Sequence, residues 1–119
     1  MPGRVLIVDD SESIRSIFKM TLKYKGYEVT EACDGQEAYD LLKTNSYDLV
    51  ISDIAMPIMT GIELLKKIRT ELHLETLPVV ICTAEKDAPE EEFIKRGANR
   101  VIQKPISPLE ILQLVENLI

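Results

Sequence analysis

Five short apolar runs, each followed by a segment of helical period, limit the fold of this 119-residue chain more than any other feature. Each run has the length of a strand and is rich in β-branched residues. The runs are Val5–Val8, Tyr27–Ala32, Leu49–Ile51, Val79–Cys82 and Val101–Ile102. Strands that alternate with helices in this way predict an α/β fold with a parallel sheet covered by helices on both faces. A chain of this length is expected to form one domain, 1–119.

Residues that favour the ends of helices stand between the runs. Thr60-Gly61-Ile62-Glu63 and Ser107-Pro108-Leu109-Glu110 both have the pattern of a capping box. Gly26 and Gly97 stand where the end of a helix favours a left-handed residue. These signals place helix boundaries between the predicted strands and support the alternation.

The charge and the apolar runs of the chain argue against several classes of protein. The formal net charge of −6 disfavours direct binding of nucleic acid or of an anionic membrane. No apolar run approaches the roughly 20 residues that span a bilayer, and the first residues do not resemble a signal peptide. We therefore expect a cytoplasmic protein, either complete in itself or a domain of a longer chain. Cys33 and Cys82 lie in apolar patterns without metal-type spacing, so we expect reduced, buried thiols.

Charged and hydroxyl side chains lie within two residues of the ends of four of the five runs. Asp9 and Asp10 follow the first run, Asp53 the third, Thr83 the fourth and Lys104 the fifth. Because parallel strands end at the same edge of a sheet, we expect these side chains to share one crevice. Each residue alone has an ordinary structural explanation, such as a helix cap or a turn. Their combination at four strand ends predicts a functional site.

Three carboxylates in one crevice require a counter-charge. Two unit charges ~4 Å apart repel by about 4 kcal/mol at an effective dielectric of 20. Three such pairs would cost on the order of 10 kcal/mol, which is comparable to the stability of a whole domain. A set of oxygen ligands without His or Cys suits Mg²⁺ or Mn²⁺, and Lys104 would neutralise further charge.

These residues, in this order and spacing, resemble the signature of response regulator receiver domains, the CheY-like domains of two-component signalling. The resemblance covers essentially the whole chain, as one receiver domain over 1–119. It consists of Asp9-Asp10 after LIV, SDIAMPIMTG around Asp53, Thr83-Ala84 after VVIC, and Lys104-Pro105. It implies a flavodoxin-like (βα)5 fold, a doubly wound sheet of five parallel strands in the order 2-1-3-4-5.

The resemblance also implies a phosphoacceptor rather than an enzyme, with self-catalysed phosphoryl transfer and slow autodephosphorylation only. Asp53 would accept the phosphoryl group from a histidine kinase, a phosphotransfer protein or a small donor such as acetyl phosphate. Thr83 and Lys104 would contact the phosphoryl oxygens. Phosphorylation would draw Thr83 and its loop inward, and a downstream protein or output domain would read the change at the fourth helix, fifth strand and fifth helix.

The resemblance further implies a magnesium site and a cis peptide bond. Asp10 and Asp53 would ligate Mg²⁺ directly, Asp9 would act mainly through water, and the main-chain carbonyl of Ala55 would be a further ligand. The bond between Lys104 and Pro105 would be cis.

Two features depart from the family or leave alternatives open. Val101 stands where receivers usually carry Tyr or Phe, so we expect the loop after Thr83, rather than an aromatic flip, to carry the signal. In the last helix, Ile111 and Leu114 lie off the stripe of Leu112, Val115 and Ile119. The helix is either broadly buried or presents an apolar docking face beside the basic residues Lys95, Arg96 and Arg100.

Three other functions compete with the phosphoacceptor. A flavodoxin-type cofactor binder needs a Ser/Thr/Gly-rich phosphate loop after the first strand, where this chain has Asp9-Asp10. A phosphohydrolase with an aspartate nucleophile places a general acid two residues later, where this chain has Ala55. A degenerate receiver would act only as a docking module, which the intact set of five residues argues against.

Overall fold

The computed structural model describes residues 3–86 and 88–119. Five strands alternate with five helices along the chain. The elements are β1 Arg4–Val8, α1 Glu12–Tyr24, β2 Glu28–Ala32, α2 Gly35–Thr44, β3 Leu49–Ser52, α3 Gly61–Thr70, β4 Val79–Thr83, α4 Glu90–Lys95, β5 Arg100–Gln103 and α5 Pro108–Leu118. Every predicted strand is present, with bounds within one residue of those read from the sequence.

The five strands form one parallel sheet in the order β2-β1-β3-β4-β5. The predicted flavodoxin-like architecture and strand order are therefore confirmed. In the register of the sheet, Val8 at the end of β1 lies beside Ser52 at the end of β3. The residues that follow these two strands consequently emerge side by side at the carboxyl edge of the sheet.

The core consists of two hydrophobic clusters, one on each face of the sheet. In β1, Leu6 and Val8 pack with α2, α3 and α4, whereas Val5 and Ile7 pack with α1 and α5. This alternation follows from the period of two in a strand, and both faces are apolar because helices cover both. β1 is therefore buried on both sides, and at the carboxyl edge of the sheet the chain first becomes exposed at Asp10, two residues after the strand ends.

The helix ends confirm most of the predicted boundaries. Both capping boxes are present, with Thr60 and Ser107 as the N-cap residues of α3 and α5. Gly26 and Gly97 have φ values of 89° and 109°, as the left-handed positions after α1 and α4 require. At α1 the cap is the side chain of Ser11, which accepts a hydrogen bond from the Ile14 amide.

The structure decides one open question about burial and corrects one expectation. The buried residues of α5 are Ile111, Leu114 and Val115, whereas Ile119 is exposed, so Ile111 and Leu114 cannot form a docking face. The alternative of a broadly buried helix is therefore confirmed, since Leu112 and Leu118 also pack, half-buried, against the same cluster. Cys33 is exposed rather than buried, because it lies just beyond the end of the edge strand β2. Cys82 is buried in β4, as expected.

Within residues 3–86 and 88–119, every helix is too short or too polar to cross a membrane.

Candidate functional site

Three carboxylates converge at the carboxyl edge of the sheet. The Asp53 amide donates to the carbonyl of Val8 at 3.0 Å, which holds the end of β3 against the end of β1. Asp9, Asp10 and Asp53 each offer a carboxylate oxygen, and these oxygens lie within 4.8 Å of one another. Asp9 is buried, Asp53 is half-buried and Asp10 is exposed. The parallel sheet thus brings together the three acids that the sequence placed after β1 and β3.

Lys104 provides a positive charge between two of these acids. Its Nζ atom lies 2.6 Å from Oδ2 of Asp9 and 3.1 Å from Oδ2 of Asp53. Burial of the side chain lowers the pKa of Lys104, but the hydrogen bonds and charges of Asp9 and Asp53 outweigh it and raise the pKa above its ordinary value. The ammonium group is therefore charged at neutral pH and neutralises part of the acidic cluster.

The carboxylates of Asp9 and Asp10 have different surroundings. Both oxygens of Asp9 are engaged, because Oδ1 accepts from the Ser11 amide at 2.9 Å and Oδ2 accepts from Lys104. In the part of the chain that the structure describes, no hydrogen bond or ion pair involves the carboxylate of Asp10. Since Ser11 caps α1, the Asp10 carboxylate is also not needed as a cap. Asp10 is therefore the acid whose oxygens are most available to a cation.

Asp53 is held in a fixed orientation by its own loop. Its Oδ1 atom accepts from the Ile54 amide at 2.7 Å, and its Oδ2 atom faces Lys104. The loop returns to the start of α3, where the Gly61 amide donates to the Ile54 carbonyl at 2.9 Å. A Cβ atom at Gly61 would lie 2.1 Å from the main-chain oxygen of Asp53, so this position requires glycine. Sequence reasoning had identified Gly61 only as part of a capping box.

Thr83 and Lys104 are neighbours across the ends of β4 and β5. The Lys104 amide donates to the Thr83 carbonyl at 2.7 Å. The buried hydroxyl of Thr83 accepts from the Glu85 amide at 3.1 Å, and it donates no hydrogen bond to any described residue, so its proton is available to another acceptor. The Lys104-Pro105 bond is cis. Val101 is half-buried in β5 and packs against the cluster beneath α2, α3 and α4.

Two residues near the site were not singled out from the sequence. Arg15 of α1 donates to the main-chain oxygen of Asp9 at 2.6 Å. Arg15 lies one turn into the helix that follows Asp9-Asp10, and a basic residue at that position could have been recognised from the sequence as a neighbour of the acids. Ile58, in the loop after Asp53, has a φ of 70° and is 77% exposed. Nothing in the sequence distinguishes this isoleucine from a core residue.

Comparison with known proteins gives one family. The family model described as "Response regulator receiver domain" matches residues 5–116. The transcriptional regulatory protein SrrA of Staphylococcus aureus is 38% identical over 120 residues, which are 100% of this chain and 48% of SrrA. The chain thus spans about half the length of the curated relatives it matches.

Solved structures show the same likeness. The chemotaxis response regulator CheY4 of Vibrio cholerae is 35% identical with a TM-score of 0.92, and the alignment covers 100% of both chains. The receiver domain of the Francisella response regulator 1452 is 34% identical with a TM-score of 0.90, over 98% of this chain and 95% of that one. Both similarities extend through the acidic cluster and the sheet that builds it.

Proposed function

This chain belongs to the response regulator receiver domains, and we propose that it accepts a phosphoryl group on Asp53 and thereby switches the binding of a downstream partner. The observation that carries the proposal is the position of Asp53. One oxygen of its carboxylate lies within 4.8 Å of an oxygen of each of two further acids, and its Oδ2 atom lies 3.1 Å from the ammonium group of Lys104. A carboxylate in these surroundings has both a charge partner and neighbours that can hold a cation.

The proposed reaction is an in-line displacement at phosphorus. A carboxylate oxygen of Asp53 forms a bond to phosphorus while the bond from phosphorus to the donor's leaving group breaks. That leaving group is the imidazole nitrogen of a phosphohistidine, or acetate when acetyl phosphate is the donor. Transfer of this kind depends mostly on positioning and charge stabilisation. Lys104 would then bind a phosphoryl oxygen, and the hydrogen bond from the Ile54 amide would keep the Asp53 carboxylate oriented.

The acidic cluster fits a divalent cation. Three carboxylates with oxygens within 4.8 Å, and no His or Cys among them, form a donor set that suits Mg²⁺ or Mn²⁺. Asp10 and Asp53 would bind the ion directly with the main-chain carbonyl of Ala55, and Asp9 would act mainly through water. The assignment of Asp10 as a direct ligand is supported by its contrast with Asp9, since both Asp9 oxygens are engaged while the described residues give the Asp10 carboxylate no hydrogen bond. When bound, the ion would supply positive charge to the phosphoryl oxygens.

The proposed switch begins at Thr83. Its hydroxyl proton is free, so it can donate to a phosphoryl oxygen on Asp53, and the loop after β4 would follow it inward. The change would be read on the face formed by α4, β5 and α5. With Val101 in β5, the loop movement rather than an aromatic rotamer carries the signal in this proposal.

The partners follow from this chemistry. The donor would be a histidine kinase or a phosphotransfer protein, and the reader a downstream protein or an output domain. We place the reaction in the cytoplasm, without direct contact of this domain with nucleic acid or membrane. Rapid turnover is not part of the proposal, since Ala55 offers no general acid two residues after Asp53. The domain therefore acts as a phosphoacceptor with slow autodephosphorylation rather than as a phosphohydrolase.

Intact-mass analysis after incubation with acetyl phosphate and Mg²⁺ tests the proposal. The wild-type chain should gain the mass of one phosphoryl group, and Asp53→Asn should gain none. Asp40→Asn is the matched control, because Asp40 is an exposed aspartate of α2 outside the acidic cluster. Unmodified wild-type protein under these conditions would favour a receiver that serves only as a docking module. Modification that persists in Asp53→Asn would place the acceptor on another residue.

A further inference from the structure

We propose that Arg15 is a positioning residue for the cation site, because it fixes the peptide group that joins Asp9 to Asp10. The inference rests on the proposed function, in which the acidic cluster binds Mg²⁺. It assigns a role to a residue of α1 that contributes no ligand itself.

The contacts of Arg15 connect three parts of the fold. Its Nη1 atom donates to the main-chain oxygen of Asp9 at 2.6 Å, and its Nε atom lies 3.3 Å from Oε1 of Glu31 in β2. The side chain of Arg15 is 15% exposed. Lys19, one turn later in α1, binds the other oxygen of Glu31 at 3.2 Å. Glu31 thus orients the guanidinium group, and the guanidinium group holds the turn between β1 and α1.

The bond to Asp9 determines the direction in which Asp10 leaves the sheet. The carbonyl oxygen of Asp9 and the Cα atom of Asp10 belong to one rigid peptide plane. Among residues 3–86 and 88–119, Arg15 supplies the only hydrogen bond to that peptide group. In the same described part of the chain, no hydrogen bond orients the Asp10 carboxylate. Without Arg15, the plane can rotate and carry the Asp10 carboxylate away from the cluster.

Charge and positioning predict opposite results when Arg15 is removed. Loss of a positive charge near three carboxylates would by itself strengthen the binding of a cation. Loss of an oriented ligand weakens it, and the removal of groups that orient metal ligands typically lowers metal affinity by about tenfold or more. The sign of the change in Mg²⁺ affinity therefore separates the two effects.

The experiment is a calorimetric titration of the full chain with MgCl₂ alone, on wild type, Arg15→Ala, Arg15→Lys and Lys19→Ala. Lys19→Ala is the matched control, because it also removes one positive charge paired with Glu31, while the described side chains that bond to Asp9 are those of Arg15 and Lys104 and not that of Lys19. Arg15→Lys keeps the charge but loses the planar fork that reaches both Asp9 and Glu31. If Arg15→Ala does not fold, the Mg²⁺ affinity of Arg15→Lys still tests the inference.

We expect Mg²⁺ to bind about tenfold more weakly to Arg15→Ala, several-fold more weakly to Arg15→Lys, and at least as tightly to Lys19→Ala as to wild type. In phosphorylation by acetyl phosphate, the Mg²⁺ concentration for half-maximal rate should rise in Arg15→Ala, while the rate at saturating Mg²⁺ changes little. Unchanged or tighter binding in both Arg15 variants would overturn the inference alone. Wild-type protein that binds no Mg²⁺ would overturn the metal site itself and the inference with it.

Discussion

The ammonium group of Lys104 and the carboxylate of Asp9 form the shortest ion pair among the described residues, with 2.6 Å between Nζ and Oδ2. Both side chains are largely buried, at 14% and 5% exposure. The charge of Asp9 is therefore compensated within the protein, whereas no cation in the described part of the chain pairs with Asp10. Lys104 also lies 3.1 Å from Asp53, so the site combines two acids that share one internal counter-charge with a third acid, Asp10, that is left to a cation.

Removal of Lys104 should destabilise the domain. In Lys104→Met the buried carboxylate of Asp9 loses its counter-charge, which typically costs about 3 kcal/mol in the free energy of unfolding. Chemical denaturation without Mg²⁺ measures the loss, and Asp9→Asn in the same background should restore much of it. Lys67→Met is the control, since Lys67 pairs with Glu71 on the surface of α3 and should change stability far less. If both lysine variants lost the same free energy of unfolding, the burial of the Lys104–Asp9 pair would not be the cause of its larger effect.

Mg²⁺ should stabilise the folded domain, because the acidic cluster exists only when the sheet has formed. At ten times its dissociation constant, a ligand that binds only the folded state adds about 1.4 kcal/mol to the free energy of unfolding. We expect the melting temperature to rise with Mg²⁺ in wild type and to rise little in Asp10→Asn. Without Mg²⁺, Asp10→Asn should melt a few degrees higher than wild type, since it removes repulsion without removing an ion pair. If Mg²⁺ did not change the melting temperature of the wild-type domain, the proposed metal site would be wrong.

Cys82 should make the domain less stable at alkaline pH. Burial raises the pKa of its thiol from the ordinary value of 9.0, which we take for the unfolded chain, to about 11. The protonated thiol of the folded state contributes fully to the free energy of unfolding below about pH 9. This contribution is lost as the pH rises toward 11, because the thiol of the unfolded chain ionises first. By pH 11 the loss is about 2 kcal/mol. Denaturation at several pH values should show a shallower decline in Cys82→Ala; an equal decline would mean that this thiol is not desolvated.

The elements and the convergence of the acids could be predicted because their causes are local or topological. Apolar runs, capping boxes and helix-ending glycines act within a few residues. A parallel sheet then places all strand ends on one edge, so Asp9, Asp53 and Lys104 had to meet once the strand order was known. Their contacts of 2.6 and 3.1 Å follow from that topology rather than from any local pattern.

The features that sequence reasoning missed depend on packing between distant segments. The last helix is apolar on more than one side, so its period alone does not decide that Ile111 rather than Ile119 is buried. The contact of Arg15 with Asp9 requires both a helix orientation and the neighbouring Glu31 on β2. The exposure of Cys33 follows from the edge position of β2, which the run Tyr27–Ala32 does not reveal by itself.

Ile58 lies in a strained turn within the loop that carries Asp53. The Met59 amide donates to the carbonyl of Pro57 at 2.7 Å, and the intervening Ile58 has a φ of 70°. A three-residue turn with positive φ at its centre is rare and strained, above all for a β-branched residue. Because Ile58 is 77% exposed, its side chain contributes little to the core.

Replacement of Ile58 by glycine should therefore stabilise the domain. A left-handed conformation costs a residue with a Cβ atom roughly 1–2 kcal/mol, and after the entropy that glycine gains in the unfolded chain we expect a net gain of about 1 kcal/mol. Ile58→Ala is the matched control, because it shortens the side chain but keeps the Cβ atom that causes the strain. Chemical denaturation should rank Ile58→Gly above Ile58→Ala. Equal stability of the two variants would show that the side chain, and not the backbone, governs this position.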